Sequence, residues 1–184
     1  MRYPQGHKAA VKARIVHAAA KSLRQHGLDA VSIPALMQEV GMTHGGFYAH
    51  FQNRDDLVSA AIQSAADDTA QSVFAADLPW RETLERYLSM PHLAHPEEGC
   101  VLAALGTDGA RQSPGVQRTF ADVAVGFLRL ADRQGHSDGA VDPISDEALA
   151  RAATMVGAVM LGRLVQDEAL AARILAAAKK AASS

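Results

Sequence analysis

Cysteine is almost missing: Cys100 is the only one in 184 residues. A single thiol cannot close an internal disulfide, which excludes a disulfide-stapled secreted scaffold and suits a reducing, cytoplasmic setting. Aromatic residues make up only 5% of the chain. No uncharged apolar run approaches the ~18 residues of a membrane span. The longest such stretch, residues 152–162, is closed off by Arg151 and Arg163 and has the length of a buried helix. The opening residues, from Met1 to Lys8, carry no apolar core of a secretion signal. Phosphate-cradling glycine loops of the GxxxxGK or GxGxxG kind are absent.

Catalytic and metal-binding patterns are equally thin. His92, His95, Glu97, Glu98 and Cys100 crowd one stretch. Pro91 and Pro96 are expected to break it into a loop, and its donors are too mixed to name a metal. Cys100 beside a histidine, with no third group to orient the pair, makes a poor nucleophile. The chain therefore reads as a non-enzyme that needs no metal and no cofactor.

Net charge is also small, at −2, but it is unevenly spread. Residues 1–58 hold seven Lys or Arg and four acids, and the remainder holds 11 basic and 16 acidic residues. No acid occurs before Asp29, whereas six basic residues do. A basic head on an acidic body suits contact with a polyanion.

What the chain does have is alanine, 37 residues of the best helix former, and helical periodicity throughout. The spacing predicts an all-α fold of about nine helices. Val11, Ile15, Ala19 and Leu23 give the first helix one apolar face, and Gly27 stops it. Ser32 is placed to cap a second helix, with Pro34 tolerated in its first turn and Ile33, Leu36, Met37 and Val40 turned inward. Gly41 ends that helix. Thr43 is placed to cap a short third one carrying Phe47 and Phe51, and Asn53 a long fourth one. Further helices are expected over about 80–90, 99–112, 115–134 and 145–166, with a ninth through Leu170, Ile174 and Leu175 that frays from Lys179.

Ser32 to Phe51 carries the most information. Two short helices about a Gly41-Met42-Thr43 turn form a helix-turn-helix, which sets its second helix in the DNA major groove. With Phe47 and Phe51 buried, that helix offers Thr43, His44, Gly45, Gly46, Tyr48 and His50. The glycines are costly in a helix unless the backbone must approach something closely. His44 stands at the end that reaches base edges, Thr43, Tyr48 and His50 suit phosphate oxygens, and Arg54 can add another phosphate contact.

The run Val40-Gly41-Met42-Thr43-His44-Gly45-Gly46-Phe47-Tyr48-Ala49-His50-Phe51, followed by Asn53-Arg54-Asp55-Asp56-Leu57, resembles the DNA-binding signature of TetR/AcrR-type regulators. The resemblance covers roughly residues 8–60. It implies a homodimeric transcription factor, usually a repressor, that binds a palindromic double-stranded operator and is released by a small-molecule effector. It implies a three-helix DNA-binding domain over 1–56 and a helical ligand-binding and dimerisation bundle over 57–184. Carried over by position, Thr43, His44, Gly45, Tyr48 and His50 fall on operator contacts, and Ser32 and Arg54 on phosphate contacts. Gly46 stands where other members place a base-reading side chain, so DNA shape would carry part of the specificity.

In the body, Trp80, Tyr87, Phe120, Phe127 and Met155 are candidates to line an effector pocket, and Cys100 is a candidate thiol sensor or pocket residue. Residues 152–162 are apolar nearly all round, so that helix needs more than one neighbour. Ala153, Gly157, Met160, Leu164, Leu170 and Ile174 are the candidate dimer contacts. Two alternatives stay open: a constitutive DNA-binding regulator without an effector, and a helical enzyme or protein-interaction module.

Overall fold

The computed structural model describes residues 5–29, 31–135 and 143–183. Among them are nine α-helices, two short 3-10 helices and no strand. The helices are α1 (Gln5–His26), α2 (Ile33–Glu39), α3 (Arg54–Val73), α4 (Trp80–Tyr87), α5 (Met90–Ala94), α6 (Val101–Gly109), α7 (Pro114–Gly135), α8 (Asp146–Leu164) and α9 (Glu168–Ala182). The 3-10 helices are His44–Ala49 and Pro96–Glu98. No helix among the described residues is long and apolar enough to cross a membrane. The loop expected between Gly135 and Pro143 lies outside the described residues.

Two apolar cores organise the molecule. The first gathers Ile15, Ala19 and Leu23 of α1, Leu36 and Met37 of α2, Phe47, Phe51, and Leu57, Val58, Ala61 and Ile62 of α3. It continues into Val101 and Leu105 of α6 and Val116, Phe120 and Val123 of α7, so the head is not sealed off from the body. The second core is built on Phe74, Leu84, Tyr87, Leu88, Phe127, Met155, Val159 and Leu175. Phe74, Tyr87 and Phe127 meet there with ring centroids 5.3 to 6.3 Å apart, in edge-on and tilted arrangements.

Asn53, Ser145 and Asp167 cap their helices with side-chain oxygens, on the amides of Asp56, of Ala148, and of Ala169 and Leu170 respectively. Ser32 and Thr43 occupy N-cap positions, but neither hydroxyl makes a cap bond. The expected loop at 91–96 is instead α5 followed by the 3-10 helix. Pro91 falls in the first turn of α5, where its missing N–H costs nothing, and the Ser89 hydroxyl accepts from the His92 amide. The expected fraying from Lys179 is not seen either. The Trp80 indole donates to the Ala182 carbonyl at 3.0 Å, and Lys179 pairs with Glu85, which ties α9 to α4.

Glycine is required at two points, one for its backbone angle and one for a close approach. Gly41, at φ +74°, is the left-handed residue of a Schellman stop: its own amide donates to Gln38 and that of Met42 to Met37. Gly109 packs against α7, where an added Cβ would lie 2.5 Å from the Phe120 ring. Gly109→Ala is expected to cost about 1–3 kcal/mol by overpacking. Gly41→Ala, in open space, should cost only the ~1–2 kcal/mol of a left-handed L-residue. Urea unfolding of both variants checks the pair.

Candidate nucleic-acid interface and body cavities

The reading element begins at the α2 stop. The Schellman bonds turn the chain sharply, and Arg14 of α1 donates to the Val40 carbonyl at 2.8 Å, pinning the turn to the first helix. The element itself winds as a 3-10 helix rather than an α-helix. Gly46 donates to Thr43 at 3.0 Å, and His50 to Phe47 at 2.9 Å. Phe47 is fully buried and Phe51 is 4% exposed, with their rings stacked 5.3 Å apart. That burial sets which residues face out.

Thr43, His44, Gly45 and Tyr48 are exposed, Tyr48 at 65%. The His44 and Tyr48 ring centroids stand 6.0 Å apart. The two glycines divide. Gly45 opens to empty space, whereas a Cβ at Gly46 would sit 3.2 Å from Met42, so Gly46 is half-buried and faces α2. His50 is half-buried too. Burial, and then Lys8 and Lys12 nearby, hold its pKa below the ordinary histidine value. Lys12 also lies 5.2 Å over the Phe51 ring. Exposed Lys8 and Lys12 thus border the reading element from α1, a contribution that the local motif does not reveal.

Ser32 is exposed with its hydroxyl free of any cap bond. Arg54, by contrast, is half-buried and donates to the Leu28 carbonyl, fastening the start of α3 to the α1–α2 loop. Its guanidinium already serves the head's own structure.

The body candidates separate in the same way. Trp80 is anchored on Ala182, and Tyr87 and Met155 are fully buried in the second core. Phe120 and Phe127 line an open, apolar groove between α6, α7 and α8, together with Ala153 and Met160. Cys100 is 2% exposed and lines a smaller cleft of about 290 Å³ between α3 and α7, which Phe127 also reaches. Gly157 is half-buried with room for a Cβ, and Leu164 and Leu170 are 77% and 40% exposed. Ile174 is half-buried against the second core.

Three residues tie the regions together without any sequence motif. Arg24 of α1 is 4% exposed and donates to the Gly99 carbonyl at 2.9 Å and to the Ala20 carbonyl at 3.0 Å. Arg163 of α8 donates to the His92 carbonyl at 2.8 Å. His92 accepts the Cys100 amide on Nε2 at 2.9 Å, so its proton sits on Nδ1 and is donated to the Tyr87 carbonyl. With both nitrogens engaged, His92 has none left for a metal.

Burial first, and then Arg163 and Arg24, push the His92 pKa down to about 4, although the bond to Tyr87 works the other way. The unfolded chain takes up this proton near pH 6.5, and the folded chain only near pH 4. Stability is therefore complete above pH 6.5 and falls as pH drops towards 4, by about 3 kcal/mol in all. Urea unfolding at pH 7 and pH 4.5 should show His92→Gln losing that share of the acid sensitivity.

Residues 15–61 match the family model described as bacterial regulatory proteins, tetR family. No curated protein sequence matches the chain at a significant level. Among solved structures, a TetR transcriptional regulator from Chloroflexus aurantiacus is 23% identical, with TM-score 0.72 over 97% of this chain and 96% of that one. A TetR-family regulator from Cytophaga hutchinsonii is 17% identical, with TM-score 0.75 over 96% and 95%. AibR, in complex with isovaleryl coenzyme A and operator DNA, is 16% identical, with TM-score 0.63 over 91% and 97%. Residues 15–61 are thus similar to the bacterial regulatory proteins of the tetR family, and the chain as a whole shares the fold of these solved structures.

Proposed function

We propose that the chain is a homodimeric, ligand-responsive transcriptional repressor that binds a palindromic operator and is released by a small-molecule effector. The observation that carries the reading is the outward face of the His44–Ala49 element, bordered by Lys8 and Lys12. His44 at its start reads base edges, Gly45 lets the backbone come close, and Thr43, Tyr48 and the lysines hold phosphates. His50 serves there as a neutral hydrogen-bonding group. AibR, bound to both an acyl coenzyme A and its operator, illustrates the arrangement in a protein of the same fold.

Dimerisation is supported by the C-terminal helices. Leu149, Leu161 and Leu164 of α8 and Leu170 of α9 are 40 to 77% exposed, apolar surface that a second copy would cover. A two-fold dimer presents two heads, and two heads call for a palindrome.

Selection from random duplex DNA should return an inverted repeat, bound with affinity that falls steeply with salt. Recovery of no motif, or of an asymmetric single site, overturns the reading. Within that site His44→Ala should relax one half-site position by about 1–3 kcal/mol, while Tyr48→Phe weakens all sequences alike. Uniform weakening by His44→Ala would reassign His44 to phosphate.

Gly157→Leu tests the dimer separately. Its side chain has free space within the protomer, so the variant should fold normally yet lose both self-association and operator affinity. Light scattering of the wild type at micromolar concentration should give the mass of two chains, and a folded monomer there would reject the dimer.

A further inference from the structure

We infer that the cleft between α3 and α7 is the effector site, and that it takes a lipophilic organic cation, an amine with an apolar tail. The inference rests on the regulator reading above and adds the chemistry of the ligand.

The cleft exists because small residues face each other. Ala66 and Ala70 of α3 lie opposite Gly126 of α7, and a Cβ built on Gly126 meets nothing within 4 Å. About 290 Å³ of space is left between the two helices. That is close to the lower bound of small-molecule sites. The floor is apolar and buried: Cys100, Val101, Val123 and Phe127 are each 2 to 7% exposed.

The mouth has the opposite character. Asp67 of α3 and Asp122 of α7 stand on its two sides, both exposed. Asp67 accepts from the Gln63 amide at 2.9 Å. Neither carboxylate forms an ion pair among the described residues, and no Lys or Arg there lines the cleft. Two uncompensated carboxylates above an apolar floor select a positive head over a neutral or negative one, and the floor takes the tail. The wide groove between α6, α7 and α8 is a different surface. It is nearly free of charge and lies beside exposed Leu149, so it offers no such selectivity.

The position also connects to the head. α3 forms one wall of the cleft, and its earlier turns supply Leu57, Val58, Ala61 and Ile62 to the head core. Cys100 is in the floor, and the adjacent Gly99 carbonyl is held by buried Arg24 of α1. A ligand that spreads α3 from α7 therefore acts on two helices of the reading head.

Titration calorimetry on the intact protein tests this with 4-phenylbutylamine, neutral 4-phenylbutan-1-ol and anionic 4-phenylbutyrate. The amine should bind about tenfold tighter than the alcohol, and the carboxylate more weakly than either. Asp67→Asn with Asp122→Asn should bring the amine down to the alcohol. Gly126→Met, which fills open space on a helix, should abolish both. Equal binding of amine and alcohol, no amine binding at millimolar concentration, or amine binding unaffected by Gly126→Met would each overturn the site. Saturating amine should also release operator from the wild type but not from Gly126→Met. Binding without release would refute the effector role and leave the cation site standing. Failure of the ligand-free protein to bind any operator would refute the regulator reading, not the cleft.

Discussion

A six-residue 3-10 helix has no stability of its own, because its hydrogen bonds are poor and its nucleation is costly. The reading element is held by burial. Phe47 and Phe51 are driven into a core walled by Ile15, Ala19 and Leu23 on one side and Leu57, Val58 and Ala61 on the other. Each such ring contributes about 1.5–3 kcal/mol on leaving water. The outward set, Thr43, His44, Gly45 and Tyr48, follows from which two aromatics go in. The head is therefore one unit, since removing α1 or α3 removes the surface against which the reading element is defined.

The same helix makes the head answerable to the body. α3 contributes to the head core with its first turns and to the α3–α7 cleft with its later ones. Arg24 adds a second tie, a buried guanidinium from α1 on the carbonyl beside Cys100, with Asp68 at 4.0 Å as its nearest acid. A buried cation so placed is costly to leave unpaired, so the 92–100 segment cannot drift from α1 without a penalty. Arg163 and His92 brace the other side of that segment. The surface pair Lys21 with Glu98 at 3.3 Å follows the same path but adds little energy in water.

Most of the architecture could be read from local pattern. The apolar faces of α1, α2 and α7 were legible in their spacing, as were the Gly41 stop and the paired phenylalanines. Details that depend on partners far away in sequence were not. Pro91 looks like a helix breaker until Ser89 is seen capping α5 in front of it. Ser32 and Thr43 look like caps, yet both hydroxyls are left uncommitted. The last helix looks frayed until Trp80 reaches Ala182. Lys8 and Lys12 come to the reading element, and Arg24, His92, Asp67 and Asp122 to their places, only by the packing of whole helices. No short motif encodes such a meeting. The reading element was expected as a helix, but its tighter winding was not legible.

That winding sets a length. At about 2.0 Å of rise per residue, His44–Ala49 extends ~12 Å, where an α-helix of the same six residues would extend ~9 Å. The major groove of B-form DNA is ~12 Å wide. The stretched form gives six residues the length of about eight in an α-helix, so reach is gained from pitch rather than from added chain.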